Sequence, residues 1–203
     1  MEVTLSLVED RLDLIALSQA WGIARDQGLW DELADTFHPE GTISITWFSG
    51  PFKQFIEASK RIYQPRGPRT KHLIGTPHLK INGSRALAEM SIQIIGRFVV
   101  NGVAADNVCY ARFFDKVERR DGRWRVLERV AIYEKDRIDP VAPSDAFNRF
   151  MAETDFSSIP EPYRYLGHRL QALGMKLVDN ILCDGSEETL ATLRKGAAWL
   201  AAA

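Results

Sequence analysis

Two residues of this chain have the chemistry of a proton-abstracting pair, Asp26 and His72. An imidazole's ordinary pKa, about 6.5, suits a general base at neutral pH. A carboxylate beside it fixes one tautomer and offsets the charge the ring gains. Asp26 falls in the last turn of a helix, just before Gln27-Gly28, where a carboxylate meets the negative end of the helix dipole at a cost of about 0.3–1 kcal/mol. Asp31 sits in the first turn of the next helix, where a carboxylate is favoured; Asp26 has less of a structural reason to be where it is. The alternative for Asp26 is a solvated residue before a turn. His72 opens a strand in the run Arg69 to Gly83, which Gly75 and Pro77 interrupt and Asn82-Gly83, the dipeptide of a type I′ hairpin, closes. The alternative for His72 is a surface or hydrogen-bonded strand histidine. His38, before Pro39, reads as a helix-end residue, and the break at Gly75 and Pro77 leaves the direction of His78 unreadable.

A second set of residues could line a pocket around such a pair. Arg129 shares a strand face with Leu127, Ala131 and Tyr133, and an arginine on an apolar face asks for an anion or a carboxylate. The alternative is an arginine snorkelling at a sheet edge. Asn107 and Tyr110 lie on one strand but on opposite faces by strict alternation, so both can line a pocket only if a bulge intervenes. Trp21, Trp30, Trp47, Phe55 and Tyr63 read first as core; Trp21, Trp47 and Tyr63 are also candidates for a substrate-binding wall. Other chemistries lack support. No Gly-rich phosphate loop follows a strand and no Gly-x-Ser-x-Gly elbow is present. The four histidines do not pair at i, i+4, and Cys109 and Cys183 have no metal spacing. No cofactor and no metal are expected.

The elements that must position these residues change character along the chain. Ser6-Leu7-Val8-Glu9 has the form of a capping box, and Leu12, Ile15, Ala16, Gln19 and Ile23 follow at helical spacing up to Gly28. Trp30, Leu33, Ala34 and Phe37 predict a short second helix that His38-Pro39-Glu40-Gly41 ends. Thr42 to Phe48 alternates as a half-buried strand. Phe52, Phe55, Ile56 and Tyr63 predict a third helix, and Pro65-Arg66-Gly67-Pro68 a loop. Long strands follow over Arg85–Val100, Asn107–Arg119 and Arg123–Ile138, with turns at Asn101-Gly102 and Asp121-Gly122. Helices first and consecutive hairpins after argue an α+β fold with helices on one face of a bent antiparallel sheet.

After Pro140 the composition shifts. Four prolines punctuate a polar stretch, and helices are predicted over Tyr163–Leu182 and Glu187–Leu200. Residues 1–140 are thus expected to form the main domain and residues 141–203 a helical extension packing on it or on a neighbouring subunit. The bulk properties are ordinary for a globular chain of 203 residues, 45% hydrophobic and 26% charged. A net charge of −1 gives no footprint for nucleic acid or a membrane surface. The start lacks the features of a signal peptide, the two cysteines form no disulfide framework, and no apolar run is long enough to span a bilayer. These traits read as a soluble cytoplasmic protein. Both faces of the strand from Asn107 carry apolar residues, so a homo-oligomer is expected, a dimer ahead of a trimer.

Three features together resemble the SnoaL-like branch of the nuclear transport factor 2-like superfamily. They are Asp26-Gln27-Gly28-Leu29-Trp30 at the end of the opening helix, the Thr70-Lys71-His72 strand, and the Glu118-Arg119-Arg120-Asp121-Gly122-Arg123-Trp124 hairpin. The likeness covers Leu7 to Pro140. It implies a cone-shaped α+β barrel around an apolar pocket, and cofactor-independent chemistry on a small hydrophobic, cyclic or aromatic molecule. In the dehydratases and dehydrochlorinases of that superfamily an Asp–His dyad takes a proton from carbon, and Asp26 and His72 match its two positions. The dehydrochlorinase carries a lysine five residues before its aspartate. Trp21 stands there in this chain, which speaks against a halide as leaving group. Tyr63 and Tyr110 are the tyrosines open to the dehydratase's carbonyl-polarising role. The superfamily also includes non-catalytic members, so a ligand-binding or assembly module is the alternative.

Overall fold

The computed structural model describes residues 5–64 and 70–203. The loop expected at Pro65–Pro68 lies outside them, as does Arg69. Helices α1 (Leu5–Gln27) and α2 (Trp30–Asp35) lead into β1 (Phe37–Ile45), β2 (Phe48–Pro51) and α3 (Phe52–Ile62). Then come β3 (Thr70–Ile74), β4 (His78–Asn82), β5 (Arg85–Val100), β6 (Val103–Arg120) and β7 (Arg123–Pro140). The chain ends with α4 (Asp145–Glu153), a 3-10 turn (Glu161–Tyr163), α5 (Arg164–Ala172), β8 (Leu182–Cys183) and α6 (Glu187–Ala201).

The strands form one curved, unclosed sheet in the order β2-β1-β7-β6-β5-β3, with β4 also on β5 and β8 also on β7. Neighbours are antiparallel except that β1 and β8 run parallel to β7. The turns explain the register. Asn101-Gly102 and Asp121-Gly122 have φ > 0 at both residues, as a type I′ hairpin requires. The first hairpin differs from expectation. Asn82 pairs with Arg85, so the two-residue loop is Gly83-Ser84, with φ > 0 at Gly83 alone, the pattern of a type II′ turn.

Each long strand has an inner and an outer face. Ala88, Met90 and Ile92 on β5, Cys109, Ala111 and Phe113 on β6, and Ala131 and Tyr133 on β7 face the helices and join one core with Leu14, Trp21 and Phe55. The sheet thus wraps α1–α3 as a cone. Helix α1 is stitched to it at both ends. Asp10 near its start accepts from Trp124 Nε1 and Arg119 Nη1 at 2.8 and 2.7 Å. At its end Gly28 takes φ +72° and Leu29 N–H bonds back to Ala24 O, a Schellman stop.

Several boundaries differ from those the sequence predicts. Ser6 lies inside α1 rather than capping it. Phe37 and His38-Pro39-Glu40-Gly41 belong to β1, because Phe37 is drawn to Val126 of β7 and His38 Nε2 to Glu118 O at 3.1 Å. The strand expected to reach Phe48 ends at Ile45, and the chain turns back there into β2.

The extension also differs from its expected outline. A helix at Asp145–Glu153 replaces polar coil, capped by Ser144. The helix expected over Tyr163–Leu182 stops at Ala172, just before Gly174 at φ +76°. The segments after Pro140 cover two different surfaces. Phe147 and Phe150 of α4 lie on Ala105 and Ile138, and Leu166 and Leu170 of α5 join the main core. These contacts lie on the inner face. Helix α6 instead packs Leu193, Trp199 and Leu200 on Leu87, Phe114 and Ile132 of the outer face.

Candidate active site

Helix α1 lies on β3 through one stripe of its surface. Gln19 Nε2 donates to Ile74 O at 3.0 Å. One turn on, Gly22 lets the helix approach so closely that a Cβ there would stand 2.8 Å from Ile74 Cγ1. Four residues further, on the same face, comes Asp26. The spacing 19, 22, 26 therefore delivers the carboxylate to β3, where it meets His72.

Asp26 Oδ1 lies 2.6 Å from His72 Nδ1, and Asp26 Oδ2 accepts the backbone N–H of His72 at 2.8 Å. The carboxylate thus receives both donors of one residue and fixes the ring. With a carboxylate as its partner Nδ1 is the ring nitrogen that donates, which leaves the free lone pair on Nε2. The carboxylate side chain is 4% exposed and the imidazole 12%. Lys71 Nζ lies 3.7 Å from Asp26 Oδ2, but it is about half exposed, so the pair contributes little.

The wall beside the imidazole is aromatic. Trp21 meets His72 edge to face, with centroids 5.4 Å apart, and meets Phe113 in the same way at 5.2 Å. Phe55 stacks on Trp21, and Trp47 packs on Phe55. Arg129 is fully buried against this wall, its Cζ 4.8 Å from the Trp21 centroid and 4.2 Å from Phe113. Its partner is Asp115, through Nε–Oδ1 at 2.8 Å and Nη2–Oδ2 at 2.6 Å. Burial pushes the Asp115 carboxyl up, and the charge of Arg129 opposes that shift. Trp21 Nε1 and Arg129 Nη1 are buried donors with no acceptor among the described residues.

The remaining predicted residues separate. Asn107 is buried on the inner face, one cross-strand row from His72, and donates through Nδ2 to Arg137 O at 3.0 Å. Tyr110 does not join them. β6 alternates without interruption there, so Tyr110 faces outward, with Lys135 Nζ 5.4 Å from its ring. Tyr63 lies at the end of α1, its hydroxyl donating to Gln27 O at 2.8 Å and its ring against Trp30. Trp47 packs on Phe55, and it lines a surface cleft of about 510 Å³ with Ser44 and residues 176–180. A second cleft, about 590 Å³, opens beside Phe37, Phe52 and Arg125. Neither cleft is lined by Asp26 or His72.

Two groups at the site carry no motif in the sequence. One is Asp115. The other is Asp136, which stands in the same cross-strand row as His72, Ile94 and Cys109. Asp136 Oδ2 accepts from Leu166 N at 2.7 Å and so caps α5 from the sheet. Burial raises its carboxyl to about 6, against the opposing pull of the Leu166 and Tyr165 amides and of Asn107. Unfolded, the same carboxyl titrates near about 3.9, so the folded state binds the proton more tightly. Its contribution to stability is present below the unfolded value and is lost as pH rises through about 6. Asp136→Asn is therefore expected to flatten the fall in melting temperature between pH 4 and 7 by a few degrees, at about 2–4 °C per kcal/mol for a chain this long. Thermal melts across that interval check this; equal slopes in both proteins refute it.

Comparison with known proteins agrees with this fold. The SnoaL-like domain profile matches residues 6–130. A PEP2-like protein of Fusarium vanettenii is 33% identical over 179 residues, which cover 85% of this chain and 74% of that protein. Among solved structures, a hexachlorocyclohexane dehydrochlorinase of Novosphingobium barchaimii superposes with a TM-score of 0.56 at 17% identity, over 69% of this chain and 95% of that one. A protein of Novosphingobium aromaticivorans provisionally named scytalone dehydratase gives 0.53 at 19% identity, over 69% and 97%. At such identities the two structures speak to the fold alone.

Proposed function

Since this chain belongs to the SnoaL-like domain family, we propose that it is a cofactor-independent lyase or isomerase of a small hydrophobic, cyclic or aromatic substrate. The observation that carries this reading is the Asp26–His72 contact of 2.6 Å against an aromatic wall. Such a pair suits removal of a proton from carbon. His72 Nε2 takes the proton, its electron pair forms the new double bond, and a group leaves from the β position. Asp26 offsets the imidazolium charge. Water or a carbon fragment is the more natural leaving group, and the imidazolium can return its proton to it. The fold neighbours named for dehydrochlorination and dehydration are named for eliminations of this form. Trp21 Nε1 and Arg129 Nη1, both buried and without acceptors, suit an oxygen on which negative charge develops.

The test is turnover of cyclic and aromatic β-hydroxy ketones by the wild type and by His72→Ala. A general base contributes about 10²–10⁴-fold, so a loss of that size is expected in kcat. Undiminished turnover in the variant removes His72 from the reaction.

One observation favours a second reading, a ligand-binding or assembly module. The dyad is nearly closed, and the two clefts described above lie elsewhere. A module predicts no turnover by the wild type. The oligomer expected from the apolar outer face has lost part of its motive, because α6 already covers Leu87, Phe114 and Ile132. Val108 and Tyr110 beyond α6 are the remaining reason for a dimer. Light scattering at micromolar concentration decides, a monomer mass refuting it.

A further inference from the structure

Helix α5 crosses the inner face of the sheet at the mouth of the cone. It starts at Asp136 on β7, which caps it, and packs against β6. Its Arg169 reaches on over β5 to β3. There Nη2 donates to Thr70 Oγ1 at 3.2 Å, and Cζ lies 5.6 Å from the centre of the Phe98 ring.

The seat of the guanidinium is Gly96. A Cβ at that position would stand 2.0 Å from Arg169 Nη1. Thr70 pairs with Gly96, and His72 pairs with Ile94. Thr70 and His72 are two residues apart on one strand, so they share a face and lie about 6.6–6.8 Å apart along it. Arg169 therefore stands one step from the imidazole, on the same side of the sheet.

The other arginines of the sheet's hydrogen-bond networks reach carboxylates: Arg129 has Asp115, and Arg112 has Glu89, Glu134 and Asp184. No carboxylate lies within ion-pair distance of Arg169 among the described residues. Its Nε is buried without an acceptor. Burial alone, with no opposing charge, lowers its pKa. Arg169 is half-buried, its Nη2 on Thr70 and its Nε enclosed, so the guanidinium is partly desolvated with no counter-charge beside it, and an arriving anion would meet little competition.

We infer that Arg169, seated on Gly96 beside Thr70, binds a carboxylate of the substrate and holds it one strand step from His72. The planar fork of a guanidinium matches a carboxylate. The step between Thr70 and His72 is close to the length of one ring that bears the carboxylate at one end and the reacting carbon at the other. Half-buried Ile94, the cross-strand partner of His72, offers the ring an apolar neighbour along that step. The substrate class is then an aryl or cyclic carboxylate. The inference deepens the lyase reading and relies on it for what happens at His72, but not for the binding of the anion.

Sodium benzoate is the probe, with benzamide as its neutral counterpart, in calorimetric titrations of the full chain. Benzoate is expected to bind the wild type with a Kd of about 1 mM or below and more weakly as salt is added. Arg169→Gln is expected to weaken it about 10–100-fold, the worth of a charged hydrogen bond. Gly96→Ala should do the same by displacing the guanidinium while keeping it in the protein. Gly96 has no left-handed φ, and the atom it would meet is the end of a flexible side chain, so this variant keeps the test open if Arg169→Gln does not fold. Benzamide should bind weakly and indifferently to both changes. His72→Ala should still bind benzoate, which separates this inference from the reaction. No saturable benzoate binding by the wild type, equal binding of benzamide, or benzoate binding unchanged in folded variants overturns it.

Discussion

Asp26→Asn is expected to lower kcat/KM by about 10²–10⁴-fold while leaving the melting temperature within a few degrees of the wild type. The reason lies in the two donors the carboxylate serves. It accepts the His72 backbone N–H at 2.8 Å through one oxygen and the ring Nδ1–H at 2.6 Å through the other. An asparagine has only one acceptor. Its oxygen can keep the backbone bond, and its amide then faces the ring as a donor. The imidazole can answer by moving its proton from Nδ1 to Nε2. Every hydrogen bond survives, so the fold is kept, but the base has lost its lone pair on the open side. Nitrogen-15 shifts of the His72 ring read this change directly and need no substrate: Nδ1–H in the wild type, Nε2–H in the variant. A variant that keeps Nδ1–H and full turnover removes Asp26 from the mechanism, and a large fall in melting temperature makes its role structural.

The Asp26–His72 contact was expected from the resemblance, and the elements that make it carry local cues. Gly28 marks the helix end that carries Asp26, and the Thr70-Lys71-His72 strand is short and uninterrupted. Gly22, which brings α1 down onto β3, gives no such cue, since a glycine inside a helix declares its use only once the neighbour it meets is known. The partner of Arg129 was hidden for another reason. Counting back from the Asp121-Gly122 turn places Asp115 opposite Glu128. The ladder shifts by one at Leu127, and that shift moves Asp115 opposite Arg129. A second shift, at Glu134, turns Asp136 inward to the row of His72. Bulges of this kind invert side-chain direction without any change in composition. Asn107 and Tyr110 escaped this effect because both shifts are carried by β7, so alternation on β6 placed them correctly on opposite faces. Arg169 was beyond reach from the sequence: its seat at Gly96 and its neighbour Thr70 are brought to it only by the path of the extension.

That path leads to the largest expected effect on stability. Deleting residues 185–203 removes α6 and uncovers Leu87, Phe114 and Ile132. At about 1.5–3 kcal/mol for each buried side chain, the loss is on the order of 5 kcal/mol. The helix is closely fitted, for a Cβ on Gly196 would stand 2.5 Å from Phe114 Cζ. Its C-terminal carbonyls are also held, Trp199 O by Arg85 Nη1 and Leu200 O by Asn82 Nδ2, each at 3.0 Å. A domain is stable by only about 5–15 kcal/mol, so a fall in melting temperature of roughly 10–20 °C is expected. Turnover per folded molecule at low temperature should be unchanged, because α6 touches the outer face and Asp26 and His72 lie inside. Deleting residues 141–203 adds the inner-face losses: Ala105 and Ile138 lose Phe147 and Phe150, and Tyr133 loses Tyr163. The sum reaches the whole stability of a domain, and insoluble or unfolded protein is expected. The pair of deletions separates an outer brace from a mouth segment. If the longer deletion stays folded with the wild-type melting temperature, the extension contributes nothing to the cone. If the shorter one loses turnover while folded, α6 acts on the site and the division between outer and inner face does not hold.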